Sequence, residues 1–439
     1  MPPSRLSFML RAFSYKNYRL FFGGQILSLV GSWISMTATS WLVYRLTGSA
    51  FMLGVVGFAG QIPGFVVGPF AGAYLDRWDR HRVLVTTQTI SMVQSFILAT
   101  LTLTGHITVE AIVILNAVQG VVNAFDMPAR QTFLVTIISD KEDLANAIAM
   151  NSSMFNAARL VGPSIAGIII AASGEGLCFL IDGVSYLAVI LALLSMRGLQ
   201  KQTVPLYNVT VRTQFMEGWR YVFGFRPIRS LILLLGFICL VGMPYAVLMP
   251  VFATEVLGGG PNTLGILMTA VGFGALGGAL WLASRRSVVG LGRIIMVSTA
   301  VFSGGLVMFS FSRVLWLSVP ALAVAGCGMM VMMASANTVI QTIVDDEKRG
   351  RVMSFYTMSF LGTAPFGSLF AGSLSARIGA PHTVLLSGLL CFGATAWFSQ
   401  ELPAIRAVVR PIYIRMGILP EVASGLQTAS NLLTPPEQE

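Results

Sequence analysis

Charge is almost absent from long stretches of this chain. Residues 20–44, 46–75, 83–109, 230–254, 256–284, 294–312, 314–344, 352–376 and 378–400 contain no Asp, Glu, Lys or Arg. A helix of about 20 mostly apolar residues crosses the hydrocarbon core of a bilayer. Every backbone polar group needs a partner there, and a helix supplies them all within one segment. The stretch 111–197 holds three more crossings, interrupted by Asp126, Arg130, charges at 140–143, Arg159, Glu175 and Asp182. The pattern predicts twelve spans, near 18–45, 50–75, 82–104, 107–128, 143–172, 176–197, 228–255, 262–284, 290–312, 314–343, 350–377 and 380–400. The expected fold is an all-α membrane protein.

The spans divide into two sixes. Residues 1–197 form a first six-helix bundle and 228–401 a second, with a linker at 198–227 and a tail at 402–439. The linker segment TQFMEGWRYVFGF reads as an amphipathic helix on the membrane surface. The two sixes also resemble each other. TIISDKEDLANA at 136–147 matches TIVDDEKRGRVM at 342–353, and LVGPSIAGIIIAASG at 160–174 matches PFGSLFAGSLSARIG at 365–379. Gly68 and Gly72 fall at the same offset from Gly274 and Gly278. A parallel six-span repeat with sites between the halves is one architecture of secondary transporters.

Composition agrees: 10% of residues are charged and 55% hydrophobic, against about 25% charged in a soluble protein. The net charge of +10 invites a nucleic-acid reading, but its distribution argues against one. With both termini inside, 24 of the 28 Lys and Arg fall on the inner side. That is the positive-inside bias, and it predicts a multi-pass inner-membrane protein with cytoplasmic termini.

Polar residues inside spans need a partner or a water-filled cavity. In the fourth span Asn116, Gln119, Asn123, Asp126 and Arg130 share one helical face, and Asp126 and Arg130 are spaced for an ion pair. In the first span Gln25, Ser28, Ser32, Ser35 and Thr39 repeat the spacing. Either stripe can line a central cavity or serve as hydrogen-bonded glue between helices. Arg159 and Asp182 lie in consecutive spans at depths differing by roughly 12 Å at 1.5 Å per residue. With Asp126 and Arg130 they are the candidates for carrying protons. The tenth span carries GMMVMMASAN, whose Met333 and Asn337 are candidates for a substrate wall, as are Trp33, Tyr245 and Met249.

The four cysteines lie in apolar spans and suggest neither a disulfide nor a metal site. No lysine follows a glycine, so there is no phosphate-binding loop for ATP, and no HExxH occurs. No catalytic residue, cofactor or metal is expected, and the chain does not read as an enzyme. A small molecule, protons and the lipid bilayer are the expected partners.

The stretch GAYLDRWDRHR at 72–82 resembles the loop signature of the major facilitator superfamily, through Gly72, Asp76, Arg77 and Arg80. ARLVGPSIAG at 158–167 is similar to the fifth-span motif of its antiporter-type members, through Gly162, Pro163 and Gly167. With FDMPARQTF and RGRVMSFYTMSFLGTAPFGSLFAG, these segments resemble the branch containing the enterobactin exporter. The resemblance implies a major facilitator fold of two pseudo-symmetric six-helix bundles, alternating access and a central cavity. It also implies that the 72–82 loop is a conformational latch meeting the eleventh span. The expected function is proton-coupled efflux of a small amphipathic organic molecule such as a drug, siderophore or metabolite. The alternatives are an uncoupled or lipid-type transporter, or a non-transporting membrane sensor.

Overall fold

The structure is a computed structural model. It describes residues 11–75, 78–138, 140–198, 211–285 and 287–416. The first six spans are α1 (Lys16–Thr47), α2 (Ala50–Leu75), α3 (Arg80–Leu103), α4 (Val109–Ile137), α5 (Lys141–Ser173) and α6 (Glu175–Leu194). A surface helix, Val211–Gly224, precedes α7 (Arg226–Val256). Then come α8 (Pro261–Ala283), α9 (Leu291–Phe311), α10 (Leu315–Ile343), α11 and α12 (Ala380–Arg415). Among the described residues, eleven of these helices are long and apolar enough to cross a membrane. The twelfth, α11, is broken into Asp346–Leu361 and Ala364–Ile378.

Local chemistry sets the boundaries. Asp79 caps α3 by accepting the backbone N–H groups of His81 and Arg82, at 2.9 and 3.2 Å. Gly48 ends α1 in the left-handed region, where a glycine is free of steric penalty. The break in α11 comes just before Pro365, which has no N–H to continue the ladder. Pro244 and Pro250 act likewise in α7, whose residues 238–256 pass through π and 3-10 turns.

Two expectations are corrected here. The eleventh span is not one continuous helix. The twelfth does not stop near 400 but runs to Arg415. Its extension places Leu402, Ile405, Val409 and Tyr413 on one buried face, while Pro403 and Pro411 sit on the exposed side. A missing N–H is tolerable there.

The repeat seen in the sequence is visible in the packing. In the first half α1 packs on α6, α2 on α4, and α3 on both α4 and α6. In the second half α7 packs on α12, α8 on α10, and α9 on both α10 and α12. The halves meet along α2–α11 and α5–α8, two contacts that the repeat interchanges. Both depend on glycine. A Cβ on Gly372 of α11 would lie 2.8 Å from the Gly54 Cα, and one on Gly167 of α5 would lie 2.8 Å from the Pro261 carbonyl oxygen.

These contacts are one-sided. Gln61–Ser368, Ser164–Thr269, Thr37–Met268 and the Tyr44–Glu255 hydrogen bond all lie from mid-span toward the side away from the termini. Toward the terminal side, Gly68 of α2 and Gly350 of α11 face open space.

Candidate functional site

The interior of the first half is polar. Asp126 of α4 is buried, pairs with Arg130 one turn on, and accepts from Thr87 at 2.9 Å and Gln88 at 2.8 Å, both on α3. The ion pair expected from the sequence is present. Farther along α3, Ser95 donates to Asp182 of α6 at 2.8 Å. The other Asp182 oxygen is buried without a hydrogen-bond partner, close against Gly31 of α1. Tyr186, one turn below Asp182, lies within electrostatic reach of both carboxylates and is 3.2 Å from the Ser32 hydroxyl.

The first-span stripe faces this network. Gln25 and Ser28 are buried among the helices of the first half, and Ser32 donates to the Ser28 carbonyl as well as meeting Tyr186. These residues sit inside the bundle and not on an open wall. The fourth-span stripe divides. Gln119 donates to Ser91 of α3 at 3.0 Å and to Asn123 at 3.1 Å, and Asn123 is exposed despite its position within a span. Asn116 caps its own helix backbone at the Ile112 carbonyl.

Arg159 and Asp182 are not brought together. Arg159, half-buried on α5, makes no ion pair or hydrogen bond among the described residues. Its guanidinium lies within electrostatic reach of Tyr245 on the irregular part of α7, across the junction of the halves. Gly162 of α5 packs on Trp33 of α1, and the Pro163 carbonyl lies against Gly265 of α8. Trp33 is half-buried and meets Phe155 edge-on.

The second half presents a different surface. Met249 is buried, and Tyr245 packs edge-on against Phe302. On α10, Met329 and Met332 are core residues, whereas Met330, Met333, Asn337 and Gln341 are partly open and lie at helical spacing on one face. Gln341 donates to Asn337 at 3.0 Å, and the Met333 carbonyl accepts from Tyr356 at 3.3 Å.

Of the latch candidates, Asp76 and Arg77 lie outside the described residues. Gly72 falls in α2, and Arg80 opens α3. Trp78 stacks on Phe125 of α4. Among the described residues no cluster of His, Cys, Asp or Glu is arranged to hold a metal.

Sequence reasoning missed the α3 residues. Thr87, Gln88, Ser91, Gln94 and Ser95 recur at helical spacing and form the face that receives both carboxylates. The same period-3.6 test applied to α4 would have found them.

Two six-helix halves related by an internal repeat, with eleven helices long and apolar enough to cross a membrane among the described residues, define a multi-pass membrane protein. The chain belongs to the major facilitator superfamily, in the family described as transmembrane secretion effector, whose family model matches residues 9–417. It is 26% identical to the staphyloferrin A transporter of Staphylococcus aureus over 391 residues, covering 87% of this chain and 95% of that one. It is 27% identical to the multidrug efflux pump Tap of Mycolicibacterium fortuitum over 392 residues, covering 87% and 95%. Among solved structures it is similar to an inward-facing bacterial homologue of the iron transporter ferroportin, at 15% identity and a TM-score of 0.67. That match covers 87% of this chain and 98% of the other.

Proposed function

We propose that this protein exports a small amphipathic organic molecule, a drug, siderophore or metabolite, in exchange for protons. The reading rests on the unlike partly open residues of the two halves, which we take as the walls of a central cleft. One wall offers Asn123, Gln119 and the unpaired cation Arg159; the other offers Met330, Met333 and the irregular α7 around Tyr245. A molecule with a polar and an apolar side satisfies both, and methionine adapts to varied apolar shapes. The printed names of the relatives, a siderophore transporter and a multidrug efflux pump, agree with that class.

The bias of Lys and Arg supports cytoplasmic termini. In that orientation we propose that a cleft between the halves opens to the cytoplasm, where an exported molecule enters. Protons enter from the opposite side. Asp182 lies about two turns into α6 from that side, buried and held by the Ser95 hydroxyl, in no salt bridge among the described residues. A proton there removes an uncompensated buried charge. Protonation of Asp126 releases Arg130, so proton uptake at this carboxylate loosens the polar contact of α3 with α4. When the cytoplasmic ends close, Gly72, Asp76, Arg77 and Arg80 latch onto the start of α11.

The test uses inside-out vesicles with an acidic lumen and a panel of amphipathic compounds chosen by thermal shift of the purified protein. Compounds that stabilise the protein should accumulate in the lumen, and Asp182→Asn should reduce that accumulation at least about tenfold while leaving the thermal shift intact. Accumulation that survives collapse of the pH gradient would instead support uncoupled transport.

A further inference from the structure

A cavity lies within the second half, away from its α2–α11 and α5–α8 contacts with the first. It has a volume of about 1000 Å³ and is bounded by the ends of α8 and α9, the middle of α10 and the extension of α12. Its walls are apolar: Val297 and Val301 of α9, Val331 of α10, and Leu402, Ile405 and Val409 of α12. Its mouth on the terminal side carries Arg285, Arg293, Arg406 and Arg410. No acidic residue is among those lining it. Arg293, Arg406 and Arg410 make no ion pair among the described residues, while Arg285 sits over the Trp281 ring and donates to the Val289 carbonyl. The basic loop after α8, ASRRSVVGLGR, which lacks the acid of its first-half counterpart, supplies part of this rim.

We propose that this groove is a binding site for one anionic phospholipid. Four arginines converge on one mouth without a carboxylate to neutralise them, and arginine holds phosphate through paired N–H donors. A free phosphate ion accounts for the rim but not for the apolar channel beneath it. From Arg293 to Val301 is about 12 Å of helix, close to the depth of one leaflet's hydrocarbon. The site is therefore shaped for a phosphate at the membrane surface and an acyl chain beside α9 and α10. It also gives the α12 extension a role, since Ile405 and Val409 wall the channel while Arg406 and Arg410 complete the rim.

The probe is phosphatidylglycerol, competed against phosphatidylcholine of the same chains, with native mass spectrometry of the full-length purified protein as the readout. Phosphatidylglycerol should be retained about tenfold better, as expected for several arginines at a headgroup. The triple substitution R293Q/R406Q/R410Q should bring the two lipids to equal retention, and the corresponding triple lysine variant should keep most of the preference. Val301→Trp, which fills the channel and leaves every arginine in place, should lower phosphatidylglycerol retention severalfold. Equal retention of both lipids by the unmodified protein overturns the proposal. So does a preference that survives the glutamine variant. Displacement of the lipid by millimolar inorganic phosphate, with no effect of Val301→Trp, reduces the site to an anion site and also overturns it. If the glutamine variant fails to fold, the lysine and tryptophan variants decide the matter.

Discussion

The fourth and tenth helices are repeats of one another, yet they have opposite interiors. Gly120 of α4 approaches the Gly60 carbonyl of α2, and its repeat counterpart Gly326 of α10 approaches the Val271 carbonyl of α8. At the matching offset, Asn116, Gln119, Asn123, Asp126 and Arg130 give way to Leu322, Ala325, Met329, Met332 and Ala336. All five of the latter are buried. The methionine cluster is thus the apolar version of the polar stripe, and Met332 occupies the place of Asp126. The same holds across each half: among the described residues, the buried polar side chains of the first include Gln25, Gln88, Gln94, Asp126, Glu175 and Asp182, and those of the second are serines and threonines. Several of those, such as Ser298, Thr299 and Ser303, simply donate to carbonyls three or four residues earlier. One scaffold carries both interiors because helix packing is set by glycine approach and apolar contact. What changes is whether the half can hold charge.

The largest effect should come from forcing the first half's chemistry on the second. Met332→Asp puts a carboxylate at a fully buried position in the apolar core of the second half, and a charge in a span costs about 3 kcal/mol or more. Folded protein recovered from membranes should fall steeply, as read by size-exclusion fluorescence. The reverse change is smaller and can be rescued. Asp126→Met leaves Arg130 without its partner and should cost about 3 kcal/mol, the low end for breaking a buried pair. Adding Arg130→Ala should recover most of the lost thermal stability, since the double variant has the residues α10 already uses. If the double variant is no more stable than the single one, the equivalence of the two helices fails. If it is stable and still pumps against a pH gradient, the proposed route through Asp126 fails.

Much of this was legible in the chain itself. Charge-free runs locate the spans, and paired segments at a fixed offset expose the two halves. The Asp126–Arg130 pair follows from spacing on one helix. Three features did not show. The break in α11 and the distorted turns of α7 hide within continuous apolar runs, because hydropathy does not register a missing N–H at Pro365 or Pro244. The α12 extension was concealed by Glu401 and two prolines, although its buried face keeps helical spacing. The partner of Asp182 comes from α3 and the neighbour of Arg159 from the other half. Both depend on tertiary placement, which no periodicity within a single helix encodes.

The smallest effect concerns hydroxyl groups and separates the halves most finely. Ser95 in α3 is buried and donates to Asp182, so Ser95→Ala removes a donor from a buried carboxylate. Ser335 in α10 is equally buried, but its hydroxyl has no partner among the described residues. Leaving a buried polar group unpaired is itself unfavourable, so deleting one that is already unpaired removes that penalty. Ser335→Ala should therefore be neutral or stabilising by up to about 1 kcal/mol, while Ser95→Ala should destabilise by roughly 1–2 kcal/mol. Thermal unfolding of the two variants in the same detergent checks the pair. Equal losses would mean that the second half also holds a polar network, joined through Ser335, and the contrast between the two interiors would be one of degree.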